Sequence, residues 1–269
     1  PNTYYIKWDA NFEIQNFGSK YLSGDNQSHL YVDYHLGLRK TLERIRAKYP
    51  DLVIQCCASG GGRVNYGLMP YFDEFWVSDN TDAQQRLFIQ WGTSMFFPAC
   101  AMAQHVSASP NHQTGRVIPL KFRFDVAMTG RLGMEMKPSD LTEKELAYAK
   151  NAVATYKEIR PIIQQGNQYR ILSPYDKTGY ASELYITDDK SEAIFFSYKF
   201  EHYVNQFRPR FHFAGLDPNA NYKLTEICVE GRTDHWEGRT FTGKFLMQQG
   251  IEIALNGLFD SKVIRLKKQ

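Results

Sequence analysis

The sequence predicts an α/β fold: parallel strands alternating with helices, followed by a small antiparallel β domain. Short apolar runs alternate with helix-like stretches through about residue 165. Thr142 with Glu145 three residues on is the capping box of a helix N-terminus. Around Ile194 apolar residues instead recur with period two, as in an antiparallel strand. We therefore expect a βα part over residues 1–165 and a small β domain over residues 166–269.

The elements of the first part follow one another in a regular order. Apolar runs predict strands at residues 4–8, 52–58, 75–78, 99–106 and 132–136. Between the first two strands, Leu38, Leu42 and Ile45 recur at helical spacing in a segment that ends at Tyr49 and Pro50. Further helices are predicted at residues 82–97, at 115–127 and after Thr142. This alternation implies βα units around a parallel sheet.

The tail has a different pattern. Residues 194, 196, 198 and 200 are apolar and alternate with mostly polar neighbours, which predicts an antiparallel strand with one buried face. The Asp217-Pro218-Asn219 segment predicts a turn, and residues 222–229 form another short run.

Composition narrows the class of protein. A chain of 269 residues with 43% hydrophobic and 23% charged residues is a folded globular chain. The net charge is +3, and the only basic run is at the C-terminus. Both features argue against nucleic acid as a partner. No apolar run approaches the roughly 18 residues of a membrane span, and no signal-peptide pattern opens the sequence. We therefore expect a soluble protein, and the sequence does not distinguish the cytoplasm from the periplasm.

The four cysteines do not predict a metal site. Cys56 and Cys57 are adjacent, a spacing that fits neither a disulfide framework nor metal ligation. We therefore expect most of the cysteines to be small buried apolar residues, and no metal.

Polar residues cluster where the predicted strands end. Lys7 and Asp9 end the first strand, residues 57–63 follow the second and Asp79 follows the third. Because the carboxyl ends of parallel strands form the functional face, Asp9 and Asp79 are candidates for the carboxylate pair of glycoside hydrolysis. Lys7 lies two residues before Asp9 and so on the same side of the strand, where its charge would keep the carboxylate ionised.

Each candidate also has a purely structural interpretation. Asp82, and less readily Asp79, could cap the following helix. Lys7 could form an ion pair that never contacts substrate. The Gly60-Gly61-Gly62 run lacks the rest of a phosphate loop, which favours close backbone approach to a neutral ligand.

The tryptophans and His105 likewise have a functional and a structural interpretation. Trp8 and Trp76 could stack on a sugar, but each neighbours a polar candidate and is expected to point away from it into the core. His105 could be a ligand, and a core histidine is the favoured interpretation.

At these residues the sequence resembles a known family. Residues 7–9 (Lys-Trp-Asp), 57–63 (Cys-Ala-Ser-Gly-Gly-Gly-Arg) and 76–83 (Trp-Val-Ser-Asp-Asn-Thr-Asp-Ala) resemble, in order and spacing, signature blocks of glycoside hydrolase family 36, the microbial and plant α-galactosidases. Residues 90–94, 105–107 and 132–136 extend the similarity, and 215–218 with 246–247 carry it more weakly into the tail.

The resemblance implies a retaining glycosidase with a (β/α)8 TIM barrel, of which residues 1–165 would be the C-terminal part, and a C-terminal β-sandwich over residues 166–269. Asp9 would be the nucleophile and Asp79 the acid/base. Substrate-binding positions would be Lys7, Cys57, Ser59, Gly60 and Arg63, acting on an oligosaccharide without metal or cofactor. Ser59 and Asn65 depart from the residues that many family members have there, which leaves open the preference at the sugar's 2-position.

The resemblance also sets expectations for the whole protein. The chain would be part of a longer enzyme that carries earlier barrel strands and forms a homo-oligomer, and the isolated chain would have little or no activity. Two alternatives remain: a galactosyl transferase like raffinose synthase, and a non-catalytic sugar-binding fragment.

Overall fold

A computed structural model of the protein describes residues 3–11 and 17–269. The chain forms two compact units, Pro1–Asp79 and Asn80–Gln269. Within the described residues, no helix is both long and apolar enough to cross a bilayer.

The first unit holds the first three predicted strands and the first predicted helix. Its elements are β1 (Tyr5–Asp9), α1 (Leu30–Lys48), β2 (Val53–Cys57) and β3 (Glu74–Trp76). β1 pairs in parallel with β2 from Tyr5 opposite Val53 to Asp9 opposite Cys57, and β2 pairs in parallel with β3. The carboxyl ends of β1 and β2 therefore lie side by side, as the sequence predicted.

The second unit begins with further alternating elements: α2 (Ala83–Ser94), β4 (Met102–Ser107), α3 (Leu120–Ala127), β5 (Arg131–Glu135) and α4 (Glu143–Gln165). β4 and β5 are parallel. The capping box of α4 is present, with both the Thr142 and the Glu145 side chains bonded to backbone N–H groups.

The starts of β4 and α3 differ from the prediction. The predicted fourth strand opens with a 3-10 turn at Ala99–Ala101, and β4 begins only at Met102. α3 begins at Leu120 rather than residue 115, because Gly115 adopts φ +69° and Pro119 restricts the residue before it.

The remaining strands are antiparallel. They are β6 (Asn167–Leu172), β7 (Tyr180–Ile186), β8 (Glu192–Lys199), β9 (Arg210–Phe211), β10 (Asn221–Ile227), β11 (Thr240–Thr242), β12 (Ile251–Glu252) and β13 (Asp260–Lys268), with α5 (Gly243–Gln248) before β12. Six of them form one sheet in the order β11-β10-β13-β8-β7-β6, and β9 pairs with β12. The predicted turn is confirmed, since the Asp217 side chain accepts from the Asn219 N–H at 3.0 Å.

The prediction that β8 buries only one face is wrong. Phe195 packs on Phe211 and Phe213 in the core of the β region. On the other face Tyr198 lies against Phe122 of α3, and its hydroxyl donates to the Asp125 carbonyl at 2.9 Å. The strand is therefore central, with apolar side chains on both faces.

The burial of three cysteines agrees with their predicted role as small buried apolar residues. All four are free thiols, and Cys56, Cys57 and Cys228 are buried. Within the described ranges, no group of three His, Cys, Asp or Glu side chains is arranged to hold a metal ion.

Candidate active site

Asp9 ends β1 directly beside Cys57, the last residue of β2. The Cys57 thiol and the Asn11 side chain hydrogen-bond to the Asp9 carboxylate, as does the backbone N–H of Ala10. Burial acts to raise the pKa of Asp9, but these hydrogen bonds and the charge of Lys7 outweigh it and leave that pKa below its usual 3.8. Asp9 is therefore ionised at neutral pH.

Cys57 remains a neutral thiol beside this carboxylate. Burial is the largest cause that raises its pKa to about 11, and the neighbouring Asp9 charge adds to it. A neutral thiol can donate its proton to Asp9, whereas a thiolate would repel it.

Asp79 lies beyond the end of β3 and has a different partner. The indole Nε1 of Trp76 donates to Asp79 Oδ1 at 3.0 Å. The ammonium of Lys7 lies 5.2 Å from the centroid of the same indole ring. Trp76 thus contacts both predicted functional side chains.

This role of Trp76 corrects part of the prediction. The ring is buried, as expected of a core residue, yet it does not simply point away from the functional positions. Trp8 packs edge-to-face on Phe72 at 6.5 Å between ring centroids, and the Arg63 guanidinium lies 6.0 Å from the centroid of its ring.

The glycine run brings the loop after β2 close to the end of β3. Gly60 has φ +82°, and a Cβ there would lie 2.5 Å from Ser78 Cα and 2.8 Å from the Asp79 nitrogen. Only glycine combines this backbone conformation with such close approach. Gly60 thus lies against the backbone of Ser78 and Asp79, and close approach of the run to a ligand remains a prediction.

Ser59 and Arg63 hold the strand ends together. Ser59 has φ +46°, and its backbone N–H donates to the Asn11 side chain at 2.8 Å. Arg63 donates to the carbonyls of Trp8 at 2.7 Å and Cys57 at 2.9 Å. These contacts join the residues that flank Asp9, and sugar binding by Ser59, Gly60 and Arg63 remains a prediction.

Asp82 is a helix cap in the second unit. Its Oδ1 accepts from the backbone N–H groups of Gln84 and Gln85, while Oδ2 accepts from Thr114 and Arg116. Asp82 therefore caps α2 and Asp79 does not.

His105 lies partly buried in β4. Its Nδ1 is 3.4 Å from Glu135 Oε2 on the neighbouring strand β5. The favoured interpretation as a core histidine is thus qualified by a carboxylate neighbour.

Two contacts of the site were not predicted from the sequence. They are the hydrogen bond from Asn11 to Asp9 and that from the Trp76 indole to Asp79. An amide two residues after a strand-end aspartate was a usable signal for Asn11. No such signal existed for the Trp76 indole, because its direction depends on how the chain turns after β3.

Acidic residues at or just beyond the carboxyl ends of parallel strands are typical of glycoside hydrolases. Comparisons with known proteins identify the family. The melibiase family model matches residues 2–166, and that of the glycosyl hydrolase family 36 C-terminal domain matches residues 180–266. The chain belongs to glycoside hydrolase family 36.

Individual relatives agree with this assignment. The chain is 37% identical over 266 residues to probable alpha-galactosidase C of Aspergillus flavus, covering 98% of this chain and 33% of the relative. It is 39% identical over 227 residues to alpha-galactosidase AgaA of Geobacillus stearothermophilus, covering 84% and 31%. The crystal structure of that GH36 enzyme superposes with a TM-score of 0.90 at 36% identity, covering 99% of this chain and 36% of the other. The chain spans about a third of the length of these curated relatives.

Proposed function

We propose that this chain carries the catalytic carboxylates of a retaining α-galactosidase that releases terminal α-linked galactose from oligosaccharides. The observation that carries the proposal is the unlike environment of Asp9 and Asp79. Asp9 is held ionised by several donors and by Lys7, as a nucleophile requires. Asp79 instead receives the indole N–H of Trp76 on one oxygen.

In the proposed reaction, an Asp9 oxygen attacks the anomeric carbon of galactose. The bond to the leaving oxygen breaks while Asp79 donates its proton to that oxygen, which leaves a galactosyl ester on Asp9. Asp79, now a carboxylate, removes a proton from water, and the water oxygen attacks the anomeric carbon as the ester bond to Asp9 breaks. Galactose leaves with retained configuration, and both carboxyl groups regain their initial states. This mechanism requires the two carboxyl groups to lie about 5–5.5 Å apart.

The other predicted positions have supporting roles. Lys7 lies beside Asp9 and would donate to a galactose hydroxyl, while Cys57, whose proton is donated to Asp9, would contact the sugar through its sulfur. Ser59, Gly60 and Arg63 shape the loop beside them. We further propose that residues 1–165 form the C-terminal part of a (β/α)8 barrel, that residues 166–269 form a β-sandwich domain, and that the whole enzyme is a homo-oligomer.

Related structures support an oligosaccharide substrate. Variants of AgaA from Geobacillus stearothermophilus have been crystallised in complex with raffinose and with stachyose. The curated relatives cited above are named α-galactosidases, which does not favour the transferase alternative.

The test uses the whole natural protein. Asp9→Ala should abolish hydrolysis of natural and activated α-galactosides, because no other group replaces the nucleophile. Asp79→Ala should retain more activity on nitrophenyl α-galactoside than on raffinose, since nitrophenol leaves with little protonation. Asp51→Ala, at an exposed aspartate elsewhere in the first unit, is the control.

Two further readouts decide the mechanism. A fluorinated galactosyl substrate should leave a covalent galactosyl group on the peptide that contains Asp9, detected by mass spectrometry. NMR of the first product should show α-galactose. An initial β product, or labelling at another carboxylate, contradicts the proposal.

A further inference from the structure

The chain just beyond Asp79 is held by the end of β4 and the loop that follows it. Thr81, two residues after Asp79, is buried at 5% exposure. The Ser107 hydroxyl donates to the Thr81 carbonyl at 2.8 Å, and Asn111 Nδ2 donates to Thr81 Oγ1 at 3.0 Å. The Thr81 N–H donates to Gln113 Oε1 at 3.1 Å. The N–H, carbonyl and hydroxyl of Thr81 are therefore each held by a different side chain.

The loop after β4 is itself fixed around Asn111. The buried Asn111 accepts at Oδ1 from the backbone N–H groups of Gln113 at 3.0 Å and Thr114 at 3.1 Å. Its own N–H donates to the Arg116 carbonyl at 2.9 Å. A turn closed by an asparagine side chain in this way fixes the backbone of the residues that follow it. Asn111 thus bonds to Thr81 directly and also fixes the backbone that carries Gln113.

Asp79 differs from Thr81 in being exposed. Because an exposed carboxylate is not held by packing around it, its position depends on the chain on either side. Asn80 alone separates it from Thr81, and the Asn80 side chain accepts from the Asp82 N–H at 3.0 Å. The contacts of Thr81 lie within the second unit and reach Asp79, the last residue of the first unit, through the covalent chain.

A general acid depends on such a fixed point of attachment. It must lie within hydrogen-bond reach of the oxygen that it protonates, and a misplacement of about 1 Å can cost about 100-fold in rate. A residue held at all three of its polar groups, two positions after the acid, restricts where the acid can lie.

We propose that Ser107, Asn111 and Gln113 are positioning residues for Asp79. By holding Thr81 they fix the point from which the Asp79 carboxyl group reaches the leaving oxygen. The inference rests on the proposed function, in which Asp79 protonates that oxygen. It gives the loop after β4 a part in the leaving-group step that acts through Thr81.

The experiment compares two substrates that need the acid to different degrees. The sugar leaving group of raffinose must be protonated, whereas nitrophenol leaves with little protonation. In the whole natural protein, kcat/KM would be measured on raffinose and on nitrophenyl α-galactoside for wild type, Gln113→Ala, Thr81→Val and Asp79→Ala. The ratio of raffinose to nitrophenyl galactoside should fall about tenfold in Gln113→Ala and in Thr81→Val, in the same direction as in Asp79→Ala. Partial unfolding would lower both substrates equally and leave the ratio unchanged.

Two variants serve as matched controls. Thr81→Ser keeps the hydroxyl that accepts from Asn111, so it should keep most of the wild-type ratio. Thr129 is a buried threonine beyond α3 whose hydroxyl accepts from Gln90 Nε2 at 3.1 Å. Thr129→Val therefore removes a comparable hydroxyl and should not move the ratio.

The outcomes separate this inference from the proposed function. A ratio within twofold of wild type in both Gln113→Ala and Thr81→Val, with a fall in Asp79→Ala, overturns the inference and leaves the proposed function intact. An equal fall in Thr129→Val overturns it as well. An unchanged ratio in Asp79→Ala overturns the role of Asp79 as the acid, and this inference with it.

Gln113→Ala decides the matter if Thr81→Val fails to fold. Gln113 is exposed, so its truncation leaves the core intact. On raffinose its loss of activity should appear in kcat, with KM within twofold of wild type. A rise in KM that accounts for the whole loss would mean that Gln113 binds the sugar itself, and it overturns the positioning role.

Discussion

The two candidate carboxylates differ in what surrounds them. Asp9 accepts hydrogen bonds from a thiol, a side-chain amide and a backbone N–H, and it lies near the Lys7 ammonium. Asp79 Oδ1 accepts a hydrogen bond from the Trp76 indole. Donors that favour the charged form keep a nucleophile ready, and an acid/base must instead exchange its proton during each turnover. The environment of Asp9 therefore suits the role of nucleophile proposed for it.

Removal of the Cys57 thiol should change the pH dependence of activity. The thiol hydrogen bond is the first of the interactions that lower the pKa of Asp9. In Cys57→Ala the pKa of Asp9 therefore rises, and the acidic limb of kcat/KM, which reports the free enzyme, moves toward neutral pH. Activity is lost below this limb because Asp9 must be ionised to attack.

Cys57→Ser is the control for this prediction. A serine hydroxyl still donates to Asp9, so its acidic limb should stay closer to that of wild type. The measurement is the full pH profile on nitrophenyl α-galactoside. Superimposable acidic limbs in wild type and Cys57→Ala would show that the thiol does not set the pKa of Asp9.

The strand-end positions could be predicted from sequence, and their partners only in part. Alternation along β1 placed Lys7 and Asp9 on one side, and the next apolar run placed Cys57 at a neighbouring end. The hydrogen bond from Trp76 to Asp79 could not be predicted, because it depends on the chain turning back after β3. Periodicity describes strands and is silent on the loops that follow them.

At the scale of elements, the loop after β2 positions the residues that follow β3. Gly60→Ala should lower activity strongly, since its methyl group must displace the Ser78 and Asp79 backbone. The left-handed conformation adds strain of about 1–3 kcal/mol. Kinetics on nitrophenyl α-galactoside and chemical unfolding of the same variant measure the two effects.

Gly37→Ala is the control for Gly60→Ala, and no loss of activity is expected. Gly37 lies inside α1, and a methyl group added there would meet nothing within 4 Å, so alanine should leave activity intact and stabilise the helix by up to about 1 kcal/mol. Wild-type turnover in Gly60→Ala would mean that the loop does not control the position of Asp79.

The cap of α2 makes a further prediction for an element. Asp82 is fully buried and accepts two backbone N–H groups as well as Thr114 and Arg116. Asp82→Ala should cost about 2–4 kcal/mol, from loss of the cap and from polar groups left without a partner. Asp82→Asn, which keeps an acceptor oxygen, should cost less.

A second cap calibrates this effect. Thr142 caps α4 at an exposed position, so Thr142→Ala should cost only about 1 kcal/mol. Urea unfolding of Asp82→Ala, Asp82→Asn and Thr142→Ala measures the loss of unfolding free energy in each. A loss in Asp82→Ala no larger than that in Thr142→Ala would mean that the contacts to Thr114 and Arg116 add nothing.

The elements themselves were largely predictable, because helices and parallel strands follow local patterns. The capping box located α4, and apolar runs located β1, β2 and β5. The burial of β8 on both faces was not predictable, since its second face is covered by residues such as Phe122 that lie far away in sequence. The polar residues of β8, including Lys199, predicted an exposed face, yet they are buried as well.

At the scale of the whole molecule, a buried polar cluster joins α3 to the antiparallel sheet of the second unit. Asp125 is fully buried, with Lys121 at 2.5 Å and the Ser261 hydroxyl at 2.7 Å. The Asp125 carbonyl also accepts from Tyr198 on β8. A helix of the βα part is thereby bonded to β13 and β8, which lie 73 or more residues further along the chain.

This cluster should make the two regions unfold together. Asp125→Leu leaves the Lys121 ammonium buried without its partner and should cost about 3–5 kcal/mol. Adding Lys121→Met to Asp125→Leu removes both charges and should recover most of that loss. Urea unfolding of wild type, both single variants and the double variant measures the coupling between the two sites. In wild type, peptides from α3, β8 and β13 should lose protection from hydrogen exchange in one urea transition. Additive losses in the double variant would show that the two charges do not stabilise each other, and that burial of β8 against α3 rests on apolar packing by residues such as Phe122 and Tyr198 alone.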